Sequence, residues 1–409
     1  MNEKFIPLLF GGDINVYSVA RAFHEAYKVK SVCYGKYNSG PALRSKIIDY
    51  IANENIEKAE VFRDIVISFA NSHKDYKVFV IGCGDAYVQL ASENREYFPD
   101  NCIIPYIKPN LLNTLIHKEK FYALCDKYDI PHPDTLIYTP SMGHDFTVPF
   151  KTPFILKPSN SITYWEHPFP GNNKVFIINS RKELLNILDK CYGAGYPDSM
   201  IIQDMIPGDD SYMGVLTNYS DKKGKVKMMC LGHVLLEEHT PHGLGNHAVI
   251  LTEKNEKLSY KIKNFLEDIG YIGFSNFDLK YDMRDNTYKA FEINCRQGRS
   301  NYYVTGAGFN IATYLVNDYI KNKEMDFKIC DNETLWRVVP KSVSYDYIIS
   351  KYHPKMKELE KEGKVSNSLL YSFDNGFIRK LWTFKNLHSH FKKFKIYYEK
   401  NPNLYENAL

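Results

Sequence analysis

The sequence has no Cys-x-x-Cys pair, although it holds eight cysteines among its 409 residues. They occur singly, most in apolar surroundings such as Val32-Cys33-Tyr34. That pattern excludes a zinc ribbon or a disulfide framework and predicts reduced, packed thiols. Also missing is any run approaching the roughly 18 apolar residues of a membrane span, so a soluble, cytoplasmic protein is expected. Charge of one sign is scarce. The 52 basic and 48 acidic side chains leave a net +4, too little for a dedicated nucleic-acid binder but suited to an anionic small substrate. There is no Gly-x-Gly-x-x-Gly loop, no internal repeat and no low-complexity linker. What is present, 44% hydrophobic and 24% charged residues, is the composition of a folded chain, and its length predicts two or three compact units.

Residues 5–10, 31–34 and 78–81 read as strands and 15–27 and 61–72 as helices, a parallel α/β unit over 1–110. In such a sheet, ligands are held by loops after the strands' carboxyl ends. Two loops qualify: Gly11-Gly12-Asp13-Ile14-Asn15 and Gly82-Cys83-Gly84-Asp85. Glycine admits an anion to backbone N–H groups and Asp caps a helix, although a plain strand-to-helix turn has the same appearance. A helix over 111–128 ends before the breaker Ile130-Pro131-His132-Pro133. Strands are then expected over 151–158 and 174–178, a helix over 180–191, and an antiparallel sheet from 201–206, 225–236, 273–281 and 288–294. Beyond Glu333 the chain is rich in Lys and aromatics.

The strongest chemical signal is Phe277-Asp278-Leu279-Lys280, followed by Phe291-Glu292-Ile293-Asn294-Cys295-Arg296. Strand alternation puts Glu292, Asn294 and Arg296 on one face, with Ile293 and Cys295 toward the core. Asp278 joins them from the neighbouring strand. Three hard oxygen ligands on a ribbon suit a Mg²⁺ that also bridges nucleotide phosphates, and Arg296 is placed to stabilise negative charge. An exposed polar strand face has the same pattern. Upstream, Lys157 leaves a strand and Lys118 begins a helical stretch, two point charges able to converge on polyphosphate. Between them and the acids, Ile201-Ile202-Gln203-Asp204-Met205-Ile206-Pro207-Gly208-Asp209-Asp210 presents a backbone edge that can read adenine, and a carboxylate able to hold ribose hydroxyls.

In this order, these segments resemble the ATP-grasp superfamily over roughly residues 110–320. The resemblance implies an ATP-grasp fold, α/β and α+β, behind a Rossmann-like parallel α/β substrate domain. Its units are a pre-ATP-grasp domain over 1–110 and an ATP-grasp domain over 111–330, with a nucleotide lid over about 135–205 and a metal and catalytic sheet over about 206–330. A basic, aromatic extension covers 331–409. It implies ATP and Mg²⁺ as cofactors. Lys118 and Lys157 match the phosphate-binding lysines, with Ser159 and Ser161 in the phosphate-grasping loop. Gln203, Asp204 and Ile206 match the adenine hinge, Asp204 and Ile206 through backbone groups, and Asp210 matches the ribose acid. Asp278, Glu292 and Asn294 match the metal ligands and Arg296 the arginine of the E-x-N-x-R form, which with Lys157 is implied to be catalytic. The sequence departs from many relatives in a loop after Lys157 that is not glycine-rich, and in Gln203, where an acid is usual.

Segments 12–17 (GDINVY), 20–27 (ARAFHEAY), 164–169 (YWEHPF) and 294–299 (NCRQGR) look most like D-aspartate ligases. This second resemblance implies a carboxylate–amine ligase working through an acyl phosphate. It would join the β-carboxyl of D-aspartate to the lysine ε-amine of a peptidoglycan precursor, a muropeptide. Another amino-acid or dipeptide ligase shares every nucleotide residue, and a non-catalytic nucleotide-binding module is the alternative of another class. Gly12, Asp13, Asn15, Asp85, Arg299 and Ser300 are the candidate substrate residues, Arg299 being equally readable as a surface ion pair. The histidines His233, His239, His242 and His247 do not have zinc-site spacing, and their glycine-rich segment reads as a mobile cover. Residues 376–400 carry seven basic side chains amid Phe, Trp and Tyr with Glu399 alone opposing them. That stretch suits either an amphipathic cap on the ATP domain or peripheral contact with anionic lipid at the inner face of the membrane.

Overall fold

The strand–helix alternation of the N-terminal region closes into a five-stranded parallel sheet. The computed structural model describes residues 3–240 and 243–398. Phe5–Phe10 lies at the centre of this sheet, between Ser31–Gly35 and Lys77–Gly82, with Ile48–Ala52 and Cys102–Ile103 at the edges. Leu8, Leu9 and Phe10 are fully buried, because helices cover both faces of the sheet, which is why this strand reads as a continuous apolar run. The helix Ile14–Tyr27 starts where Asp13 accepts the Asn15 N–H at 3.0 Å and stops at Lys28, which is left-handed at φ 59°.

Strand order reverses at Phe5–Phe10, so the loops Gly11–Asp13 and Gly82–Asp85 face each other across a crevice. That crevice is filled by the chain itself. The Gln297 side-chain amide donates to the Gly82 carbonyl at 3.1 Å, and the Asn15 amide donates to the carbonyls of Cys83 (3.2 Å) and Gln297 (3.4 Å). The crevice therefore clamps the segment after the second acid-bearing strand.

That strand, Thr287–Asn294, is the edge of an eight-stranded sheet that continues through Gly273–Asp282, Met213–Ser220, Val226–Glu238, Asn246–Glu253, Leu335–Arg337 and Val365–Ser366. Lys328–Ile329 pairs in parallel with Val226–Glu238 off this path. One apolar cluster runs from Phe10 and Phe62 through Phe121 to Phe265 and Phe277, so the first sheet and the large sheet share a core. A third sheet, ordered Thr135–Tyr138, Met200–Gln203, Phe154–Pro158, Phe176–Ile178, has a core of its own around Leu156, Ile178, Leu184 and Ile202. Its helix Arg181–Gly193 begins with a capping box in which Ser180 accepts from the Glu183 N–H and Glu183 accepts from the Asn179 N–H.

Four expectations are corrected. The strand expected over 201–206 in the large antiparallel sheet is Met200–Gln203 and belongs to the small sheet, because it pairs with Thr135–Tyr138 and Phe154–Pro158. The single helix over 111–128 is two, Pro109–Ile116 and Lys118–Lys127, because His117 is extended and the Lys118 N–H bonds to the Ser159 carbonyl at 3.3 Å instead of continuing the helix. The loop after Lys157 contains a short helix, Ser161–Glu166, capped by Asn160. The boundary at 331 cuts through the large sheet, whose strands Leu335–Arg337 and Val365–Ser366 lie beyond it.

The C-terminal stretch is bound back onto the first helix. Asp374 accepts from the Tyr17 hydroxyl (2.9 Å), the Ser45 hydroxyl (2.7 Å) and the Lys46 N–H (2.8 Å), and pairs with Arg379 at 2.9 Å. Arg21, between the rings of Tyr302 and Tyr371, donates to the carbonyls of Asn367, Ser368 and Leu370. Asp374 and Arg379 are 2% and 4% exposed, so removing one strands a buried charge. Asp374→Ala is expected to lower unfolding stability by about 3–5 kcal/mol, read from urea denaturation; a loss below about 1 kcal/mol would contradict this buried tie.

Candidate active site

Asp278 and Glu292 are directly opposed on adjacent antiparallel strands, and the register slips just beyond them, so that Leu279 faces Ala290. Phe291 is the extra residue of this bulge, a device that re-aims side chains. Its carbonyl accepts from the Tyr122 hydroxyl at 2.6 Å. Ile293 and Cys295 enter the core, leaving Glu292 and Asn294 on the open face. The Asn294 amide donates to Asp278 at 3.0 Å, and Arg296, just past the strand, donates to the Asn294 amide oxygen at 3.2 Å.

Cations from two other elements converge on this pair. Lys118, at the start of its helix, reaches one Glu292 oxygen at 3.0 Å, and Lys174, before the strand Phe176–Ile178, lies 3.6 Å from the other. Lys157 is buried, its ammonium 5.0 Å from the centroid of the Phe291 ring. Burial and the neighbouring Lys118 charge push its pKa down to about 7. Burial alone would raise Glu292, but Lys174, Lys118 and Lys157 outweigh it and hold the carboxyl well below its usual range. Burial and the facing Glu292 charge raise Asp278 to about 7. Two opposed carboxylates and an amide oxygen, one acid held back from ionising by burial and by the facing carboxylate, are a donor set that fits a hard divalent cation.

Two cavities meet at this pair. A narrow one of about 160 Å³ has apolar walls from Ile155, Val175, Met205, Ile206, Met213, Leu244 and Phe291, with Lys157, Gln203, Asp204, Glu237 and Lys280 as polar lining. A wider cleft of about 690 Å³ is lined by Asp85, Trp165, His247, Arg296, Arg299 and Ser300. Lys118, Ser161, Lys174, Asp278 and Glu292 border both. A flat apolar group with a polyanionic tail fits the first, its charge ending at the acids; a polar reactant fits the second.

Not every expected residue arrives at these cavities. Asp210 is 4% exposed; its carboxylate accepts from His239 (2.9 and 3.0 Å) and from the Glu237 N–H (2.9 Å). It is thus held by groups of the protein itself and does not line either cavity. Glu237, whose backbone N–H donates to Asp210, does line the narrow cavity, its pKa raised to about 8 by burial and by the nearby Asp210 charge. The Ser159 hydroxyl is also committed, donating to Glu119, whereas the Ser161 hydroxyl lies 3.4 Å from the Lys118 ammonium. Gln203 donates to the Thr135 hydroxyl at 2.8 Å. The Asp204 carboxylate pairs with Arg284 and its N–H with the Asp134 carbonyl.

Of the six candidate substrate residues, Asp85, Arg299 and Ser300 line the wide cleft. Asp85 grips Arg296 at 2.7 and 2.9 Å, Arg299 sits between Glu238 (3.5 Å) and Asp13 (3.9 Å), and Ser300 meets His247 at 3.3 Å. Asn15 is corrected to a structural role. It is 1% exposed, donates as described to the carbonyls of Cys83 and Gln297, and accepts from the Asn301 amide at 2.8 Å. Asp13 caps its helix, and Gly12 packs so closely on Gly40 that a Cβ there would lie 2.1 Å from the Gly12 carbonyl oxygen. The described histidines go to separate partners, His233 to Glu253, His239 to Asp210 and His247 to Glu237; His242 lies outside the described residues.

Three residues were missed, Glu237 on the wall of the narrow cavity and two lysines. Lys280 donates to the carbonyls of Ile206 (3.0 Å) and Gly208 (2.7 Å), fixing the hinge beside the narrow cavity. Its position two residues after Asp278 on the same strand face was an available signal. Lys174 follows Asn172-Asn173 in an aperiodic stretch that offered none.

No family model matches the chain. It is 41% identical over 410 residues, 97% of each chain, to a D-aspartate ligase of Enterococcus faecium (strain Aus0004). Among solved structures it is similar to the biotin carboxylase domain of a Hydrogenobacter thermophilus 2-oxoglutarate carboxylase, in complex with MgADP, ADP and bicarbonate. That match has TM-score 0.60 and 12% identity over 81% of this chain and 72% of the other. It is also similar to N5-carboxyaminoimidazole synthetase of Staphylococcus aureus complexed with ADP (TM-score 0.59, 12% identity, 88% of each chain). These likenesses show an ATP-grasp fold.

The charge arrangement has a spectroscopic consequence. NMR of isotopically labelled lysine is expected to show a side chain titrating near pH 7 that is absent in Lys157→Met, as well as Lys280, whose pKa burial lowers to about 8. Because the Glu292 charge raises the Lys157 pKa, Glu292→Gln is expected to move that midpoint lower still. Midpoints confined to the ordinary range near 10 would contradict the assigned electrostatics.

Proposed function

The chain belongs to the D-aspartate ligase family, and we propose that it joins the β-carboxyl of D-aspartate to the lysine ε-amine of a peptidoglycan precursor. By family and fold it is an ATP-dependent carboxylate–amine ligase. The observation that carries the finer reading is the 41% identity to a D-aspartate ligase over 97% of the chain; the charge cluster of Asp278, Glu292, Lys118, Lys157 and Lys174, at the junction of a narrow apolar cavity and a wide polar cleft, supports the phosphoryl chemistry.

In this reading ATP occupies the narrow cavity, adenine against Met205, Phe291 and the backbone of Asp204 and Ile206. Glu237 replaces Asp210 as the candidate for the ribose hydroxyls. Lys118, Lys157 and Lys174 offset the phosphate charge. Asp278, Glu292 and Asn294 would hold Mg²⁺, which supplies further positive charge to the phosphates. A carboxylate oxygen of the acid attacks the γ-phosphorus, the bond to the β-bridging oxygen breaks, and ADP and an acyl phosphate result. The neutral amine then attacks the acyl carbon, the carbon–oxygen bond to phosphate breaks, phosphate leaves, and the nitrogen loses its proton to solvent. Arg296 faces the cleft to stabilise the tetrahedral oxyanion, and Asp85 positions its guanidinium.

Arg299 and Ser300 are the groups proposed to anchor the α-carboxylate of D-aspartate. An unreacted carboxylate at Arg299 would present the β-carboxyl toward Arg296. The cleft of about 690 Å³ leaves room for an extended acceptor beside the amino acid.

Phosphate release measured with D- and L-aspartate, each with and without a lysine-containing muropeptide, tests the assignment. Turnover is expected with D-aspartate and acceptor together, with Arg299→Ala raising the KM for D-aspartate about 10- to 100-fold through loss of one charge-assisted contact. Turnover with L-aspartate and none with D-aspartate would contradict the substrate. Failure of every carboxylate to elicit turnover would contradict the ligase reading.

A further inference from the structure

The last described helix, Phe377–Tyr397, has two unlike faces. Its inner face is firmly held. Arg379, Thr383, His390 and Phe394 are buried, with Arg379 paired to Asp374 and 4.0 Å above the Tyr17 ring. Its outer face carries Phe377, Ile378, Leu381, Phe384 and Phe391, exposed by 77, 56, 54, 69 and 41%. Steps of three, four and seven residues align these side chains in one row. Lys380, Lys385, Lys392 and Lys395 are exposed beside them, and the helix contains no Asp or Glu. Leu370 and Phe373, exposed by 57 and 55%, extend the apolar patch just before the helix, and Lys46 lies next to Gly376 at its start.

An ordered row of large apolar side chains in water marks an interaction surface. We propose that this helix docks the protein on an anionic lipid bilayer, its apolar row entering the headgroup–acyl boundary and its lysines meeting lipid phosphates. The composition is that of a helix lying in a membrane interface, apolar and aromatic on one side with basic residues and no acids. None of the described helices is long and apolar enough to cross a membrane, so attachment is to the surface. A second copy of the chain fits less well, because a symmetric contact through this face would set its lysines against their equivalents. The helix shares no residue with the charge cluster of the active site, so the proposal stands or falls independently of the ligase reading.

Co-sedimentation of the full chain with vesicles tests it. Binding is expected to vesicles of phosphatidylglycerol and phosphatidylcholine, to weaken in high salt, and to be absent on phosphatidylcholine alone. Leu381→Asp with Phe384→Asp is expected to cut binding at least tenfold, and each of Lys380→Gln, Lys385→Gln and Lys392→Gln about fivefold. These side chains are exposed, and unchanged far-UV circular dichroism and melting temperature are expected to confirm folding. Failure to bind anionic vesicles, or equal binding by wild type and the double variant, would overturn the proposal. So would a concentration-dependent dimer abolished by the double variant without any vesicle binding, which would assign the face to a second copy.

Discussion

The Glu292 carboxylate is the point on which the large sheet and the small sheet converge. Its own strand and that of Asp278 belong to the large sheet, Lys174 comes from the small sheet, and Lys118 begins the helix leading into that small sheet. Isolated, each charge would be costly in so enclosed a place, since an unpaired buried ion tends to neutralise or seek a partner. Together they settle as an ionised Glu292, a reluctantly ionised Asp278 and a Lys157 near neutrality. These internal ion pairs are the ones that a dication and a polyphosphate would replace in the proposed reaction.

The N-terminal sheet contributes in an indirect way. Its switch-point crevice, where such folds commonly hold a ligand, is filled by Gln297 and Asn15. This fastens the segment carrying Arg296, Arg299 and Ser300, while Asp85 from the same sheet grips Arg296. The sheet acts as a vice on the loop that faces the wide cleft. The C-terminal segment is tied to the first helix where Tyr17 meets Asp374 and Arg21 meets the Ser368 carbonyl, so the scaffold behind the site is closed by residues far apart in sequence.

What was legible in the sequence was what depends on short-range periodicity. Alternation placed Glu292 and Asn294 opposite Ile293 and Cys295, and the β–α pattern gave the parallel sheet. Long-range contacts were invisible. Apolar spacing runs straight through His117, and only the bond from Lys118 to Ser159 breaks that helix. Asp210 stood at a plausible distance from the hinge, but the short turn Asp210–Tyr212 directs it to His239. Met213–Ser220 escaped notice because both its faces are buried and it has no polar alternation. The strands Leu335–Arg337 and Val365–Ser366 are too short to leave a pattern.

The central claim is that the charge cluster supports transfer of a phosphoryl group to a carboxylate before the amine attacks. Turnover with D-aspartate labelled with ¹⁸O in its β-carboxyl tests it most directly, by mass analysis of the released phosphate. The account predicts one labelled oxygen in each phosphate, carried over when the acyl phosphate breaks. Phosphate free of label, with amide still formed, would contradict it.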